Sequence, residues 1–168
     1  MDISSLPAWR PARLGMARSF QMLRRCGGMS VRENPRMGAC RRRADKAGVA
    51  GDLEGVHARF PRLRERRGVN SGARRGRGRQ MLSVGRGLMS RPRMLRLAEP
   101  PAALAPRGVE EIAEAMRGLR ALGLALLVEQ TGGMALGVAE RLHLIRGGRL
   151  ASEKAVDDGA GIDEPRDF

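Results

Sequence analysis

Apolar residues recur at Val49, Leu53, Val56 and Phe60, at spacings of four, three and four. That pattern predicts one face of a helix stopping near Pro61, with His57 beside the face. Residues 62–79 keep no hydrophobic period and read as a solvated loop centred on Arg74-Arg75-Gly76-Arg77-Gly78-Arg79. Order returns with Gln80 to Met89, a short helix with Leu82, Gly85 and Leu88 on one side. Pro92 breaks the chain before a short strand, Met94 to Ala98. The clearest helix spans 108–122: Val109, Ile112, Met116 and Leu119 form its apolar stripe. Glu110 and Glu111 fall in its first turn, Arg117 and Arg120 near its end, and Gly123 where a cap belongs. Leu124 to Val128 is a continuous apolar run, the pattern of a strand buried on both faces. A further helix at about 133–141 precedes His143-Leu144-Ile145 and Arg149-Leu150-Ala151, which flank Gly147-Gly148 as a hairpin. Strand, helix, buried strand, helix, hairpin argues an α/β half-domain with a parallel sheet. Residues 1–45 show only weak periodicity.

Composition changes this picture mainly through charge. The 168 residues carry a formal +14. Residues 1–107 hold 25 basic and 7 acidic side chains (+18), and 108–168 hold 7 and 11 (−4). The first part should attract anions such as nucleic acid or acidic lipid headgroups. Nearly all of that charge is arginine, Lys46 and Lys154 being the only lysines, so an arginine-favouring genome and a selected anion-binding role both account for it. Aromatics are limited to Trp9, Phe20, Phe60 and Phe168, leaving the core to Leu, Val, Met and Ala. Cys26 and Cys40 make no disulfide framework, and His57 and His143 stand apart from any metal-ligand spacing. The longest apolar run, Ala121 to Val128, is too short to span a bilayer.

The stretch Gln80-Met81-Leu82-Ser83-Val84-Gly85-Arg86-Gly87-Leu88-Met89 resembles the helix that follows the signature motif of ABC ATPases. It is most similar to the ATP-binding subunits of branched-chain amino acid importers. Glu99-Pro100 stands at the end of the Walker B pair, Leu104-Ala105-Pro106 resembles the D-loop exit, and Leu126 to Gln130 resembles the strand and switch. Upstream, Leu14-Gly15 to Val31-Arg32-Glu33-Asn34 resembles the Q-loop segment, and Phe60-Pro61 to Arg66 the end of the helical subdomain. The resemblance covers about residues 2–155. It implies a P-loop NTPase fold lacking its Walker A part: helical subdomain and signature at about 30–90 and a C-terminal α/β half at about 91–155; the acidic, Gly-containing stretch 156–168 reads as a disordered tail.

The resemblance also implies site positions. Glu99 takes the place of the general base and Gln130 that of the switch residue. Gln21, Gly76 and Gln80 take nucleotide-contacting positions. ATP and Mg²⁺ are the family's cofactors. Several expected groups are missing. GxxxxGK[ST], the loop whose backbone and lysine hold phosphates, does not occur in the chain. The family loop lies upstream of the part represented here. Arg74 to Gln80 stands where LSGGEQQ is expected, and Ala98 replaces the aspartate that organises Mg²⁺ through water. Arg96 occupies a mid-strand position where the family is apolar. Buried and unpaired there, it would cost several kcal/mol.

The implied function is that of a peripheral, cytoplasmic subunit powering branched-chain amino acid import. Its partners would be membrane permeases and a second ATP-binding subunit. The losses imply little nucleotide binding and no hydrolysis by the chain alone. Two alternatives stand beside this: a basic protein binding nucleic acid through its Arg/Gly-rich segment, and a non-catalytic pseudo-subunit that pairs with a complete ATPase.

Overall fold

The computed structural model describes residues 2–19, 28–71, 77–98, 106–129 and 138–156. The chain divides into two units, Met1–Glu129 and Gln130–Phe168.

The first unit holds a three-stranded sheet in the order β1 (Met16–Ser19), β2 (Met94–Ala98), β3 (Ala125–Glu129). Both pairings are parallel: Ala17 lies opposite Leu95 and Ser19 opposite Leu97, while Leu95 faces Leu126 and Ala98 faces Glu129. The parallel α/β expectation is met. β1 was not legible in the weakly periodic first 45 residues, because its four residues alternate one way only: Ala17 and Ser19 are buried and Arg18 is exposed.

A short helix α1 (Arg10–Arg13) precedes β1, and α2 (Glu33–Arg36), running into a 3-10 segment Met37–Arg42, comes after it in the sequence. Helix α3 (Lys46–Arg59) starts at Asp45, whose carboxylate accepts from the Gly48 N–H at 2.9 Å. It buries Val49, Leu53 and Val56 as the spacing predicted. His57 belongs to the buried face rather than beside it, at 2% exposure. Pro61 does more than end α3: it opens α4 (Pro61–Glu65), which fully buries Leu63. The loop expected from residue 62 therefore starts later, and its first turn returns to the body through Val31 N–H to Val69 O at 2.9 Å and Ser71 N–H to Met29 O at 3.0 Å.

Helix α5 (Arg77–Leu88) is the centre of the unit. Met81, Leu82, Val84 and, just past its end, Met89 are all buried, so it is enclosed on more than the one expected face. Two glycines make that possible. A methyl group on Gly85 would stand 2.9 Å from Val56 Cγ1, and one on Gly87 would stand 2.8 Å from Leu95 Cδ1. Their missing side chains let α3 approach on one side and the sheet on the other. Helix α6 (Pro106–Ala121) joins β2 to β3 and buries Ile112, Met116 and Leu119. Gly123 closes it with φ +80°.

The strand Leu124 to Val128 is not buried on both faces. Leu127 is 44% exposed and Ala125 is also exposed. β3 is an edge strand, and α5 covers the face of Ala17 and Leu95; on the opposite face Met16, Arg18, Met94, Arg96 and Leu127 all remain at least partly exposed.

The second unit is a hairpin, β4 (Arg141–Arg146) and β5 (Arg149–Ala155). Gly147 and Gly148 have φ of +58° and +75°, the two left-handed positions that a tight hairpin turn needs and that glycine accepts without strain. The helix expected at about 133–141 lies outside the described residues up to 137. Beyond that, Val138 to Glu140 are irregular and Arg141 already starts β4.

Candidate functional site

Three parallel strands end at one edge, on Ser19, Ala98 and Glu129. In open α/β sheets ligands gather just beyond that edge. Gln21, Glu99 and Gln130 follow those ends in the sequence by two, one and one positions. All three, together with Gly76, lie outside the described residues. Gln80 and Ala98 are described, and the strand ends themselves define the floor of the site.

Ser19 at the end of β1 meets Ser83 of α5, their hydroxyl oxygens 3.0 Å apart and buried. One turn before Ser83, the Gln80 side chain is buried at 3% exposure. Its amide nitrogen has no hydrogen-bond partner among the described residues. Leaving such a donor unmet costs about 1–3 kcal/mol.

β2 ends on the buried methyl group of Ala98. Mg²⁺ takes oxygen ligands, usually through one or two carboxylates and water. Ala98 offers none, and among the described residues no group of three or more His, Cys, Asp and Glu side chains is placed to hold a metal. Ser19 and Glu129, at the ends of β1 and β3, carry oxygen atoms, but they bond to Ser83 and Arg96.

Arg96, the residue that threatened the core strand, is accommodated. Its side chain lies on the face away from α5 at 37% exposure and donates to the Glu129 carboxylate. The charge is paired and wet, so the penalty for a buried guanidinium does not arise.

A second cluster joins α2 to α5, and the sequence shows only the motif around it. Asn34 is fully buried; its amide donates to Ser71 Oγ at 2.8 Å, and its carbonyl oxygen accepts from Arg86 of α5. Just before it, Ser30 and Glu33 cap one another. The Ser30 N–H and Oγ–H both donate to Glu33 Oε2 at 2.8 Å, and the Glu33 N–H donates to Ser30 Oγ at 3.2 Å. Those bonds from Ser30, and then the charges of Arg36 and Arg32, lower the Glu33 pKa below its ordinary value. The Ser-x-x-Glu spacing was present in the sequence as a signal. Beside this cap lies a shallow cleft of about 530 Å³ lined by Ser30, Arg32, Glu33, Arg36, Arg67 and Gly68. Arg32 and Arg67 are held together by the Arg32 N–H to Arg67 O bond of 3.0 Å.

This is the fold of an ABC-type ATP-binding cassette. The chain superposes on a nucleotide-free ATP-binding cassette from an ABC transporter with a TM-score of 0.78 at 20% identity, covering 94% of this chain and 67% of that one. It also superposes on the ADP conformation of the cassette MJ1267 with a TM-score of 0.69 at 23% identity, covering 86% and 63%. Two curated relatives carry related names. The chain is 37% identical over 135 residues to the high-affinity branched-chain amino acid transport ATP-binding protein BraG of Pseudomonas aeruginosa, covering 80% of this chain and 56% of the relative. It is 33% identical over 152 residues to a probable branched-chain amino acid transport ATP-binding protein, LivF, of Archaeoglobus fulgidus, covering 89% and 64%. The chain thus spans less than two thirds of the length of these curated relatives. No family model matches it. Among the described residues no helix is long and apolar enough to cross a membrane.

Proposed function

We propose that the chain is a non-hydrolysing member of the branched-chain amino acid importer ATPases, acting as a peripheral pseudo-subunit. The carrying observation is Ala98: the strand that should end on a metal-organising carboxylate ends on a buried methyl group. Glu99 and Gln130 then keep inherited positions without a bound phosphate to act on.

The partners in this reading are permease subunits and a complete ATP-binding subunit. The arm anchored by Asn34, and the cleft of Arg32, Arg36 and Arg67 next to it, form the surface for the permease. Their charge suits an acidic segment of that partner. The setting would be the cytoplasmic side of the membrane. Nucleic acid is the weaker reading. Stacking on single strands uses several aromatic faces, and of the described aromatics Trp9 is exposed while Phe60 is buried.

Titration of a fluorescent ATP analogue with Mg²⁺ into the purified chain tests the proposal. No saturable, Mg²⁺-dependent binding in the micromolar range is expected of the unaltered chain. Tight, Mg²⁺-dependent binding by the unaltered chain would contradict it.

A further inference from the structure

We propose that the segment around Trp9 is a seat for an anionic lipid surface, independent of any nucleotide chemistry. Trp9 is the chain's only tryptophan and is 57% exposed. The Arg13 guanidinium lies over its ring at 4.9 Å from the centroid. Leu14, which ends α1, is 41% exposed. Arg10 is exposed on the same short helix.

The segment is built rather than loose. Arg10 N–H donates to Pro7 O at 2.9 Å and Leu14 N–H to Arg10 O at 3.2 Å. Arg41 reaches from the 3-10 segment and donates to Ala12 O at 3.0 Å, which brings a third guanidinium beside α1. Met37, one turn before Arg41, is 43% exposed. No Asp or Glu occurs between Asp2 and Glu33 in the sequence, so nothing in this stretch offsets the positive charge.

An indole with neighbouring aliphatic side chains, rimmed by arginines, matches the interfacial zone of a bilayer. The ring sits at headgroup depth and the guanidiniums meet lipid phosphates. A single aromatic is enough there, whereas a nucleic-acid track would need a series of them.

The lone tryptophan is its own reporter. The full chain is titrated with vesicles of phosphatidylcholine, with the same vesicles containing phosphatidylglycerol, and with a single-stranded oligonucleotide. Trp9 emission should move to shorter wavelength only with the anionic vesicles, and the shift should weaken as salt is raised. In co-sedimentation, Arg10→Glu with Arg13→Glu should lower vesicle affinity about tenfold or more. Trp9→Ala should lower it as well. These side chains are exposed, and circular dichroism of each variant checks that the fold is kept. Three results would overturn the proposal: equal shifts with both vesicle types, variants that sediment like the parent, or saturation by the oligonucleotide at concentrations where anionic vesicles give no shift.

Discussion

Arg96 of β2 donates to Glu129, the last residue of the neighbouring parallel strand β3, across the open face of the sheet. The pair ties two neighbouring strands at the carboxyl-terminal edge of the sheet. Both side chains are more than a third exposed, at 37% and 38%, so solvent screens the attraction. Arg96→Leu should therefore change unfolding free energy by less than about 1 kcal/mol. A loss above about 3 kcal/mol in urea unfolding would mean that Arg96 is buried and structural.

Asp52 of α3 is a hub of a different kind. Arg91 Nε donates to both of its oxygens, at 3.0 and 3.1 Å, and Arg42 also pairs with it while donating to Met89 O at 2.7 Å. Asp52→Ala should cost about 1–3 kcal/mol, because charged donors lose their acceptor. Arg91 has φ +50°, a conformation that favours glycine. Arg91→Gly should cost less than Asp52→Ala, since relief of backbone strain offsets the lost contact. Urea unfolding of the two variants ranks them; the reverse order would refute the assignment.

The Ser30–Glu33 cap should be pH-dependent. The folded pKa of Glu33 is lowered from 4.5. The cap's contribution is then fully present above that value and is lost as pH falls through the folded pKa. Ser30→Ala removes the hydroxyl donor to Glu33 and keeps the backbone N–H donor, so it takes away part of what lowers the Glu33 pKa. The gap between the parent and Ser30→Ala urea midpoints should be widest at neutral pH and narrow in acid, the remainder being the lost Glu33 N–H to Ser30 Oγ bond. A gap that does not change with pH would show that Glu33 gains nothing from Ser30.

Periodicity made α3, α6, β2 and the hairpin legible, because each has one face that must be buried or a turn that only glycine accepts. It failed at β1, where four residues are too few for a period. It also failed at the open face of β3: an apolar run says what a strand is suited to face, and cannot say whether anything covers it. The resemblance singled out Ala98 and Gln80 as expected site positions. It did not reveal Asn34 or Asp52, whose roles come from partners far away in the sequence, Ser71 at 37 positions and Arg91 at 39.

Phosphate release from Mg-ATP tests the central claim most directly. Glu99 follows Ala98 in the sequence, at the position where the resemblance expects the general base, so Glu99→Gln is the matching control. The account requires release by the purified chain at the buffer background, unchanged by Glu99→Gln. Release above background that Glu99→Gln abolishes would show that the chain is a working ATPase.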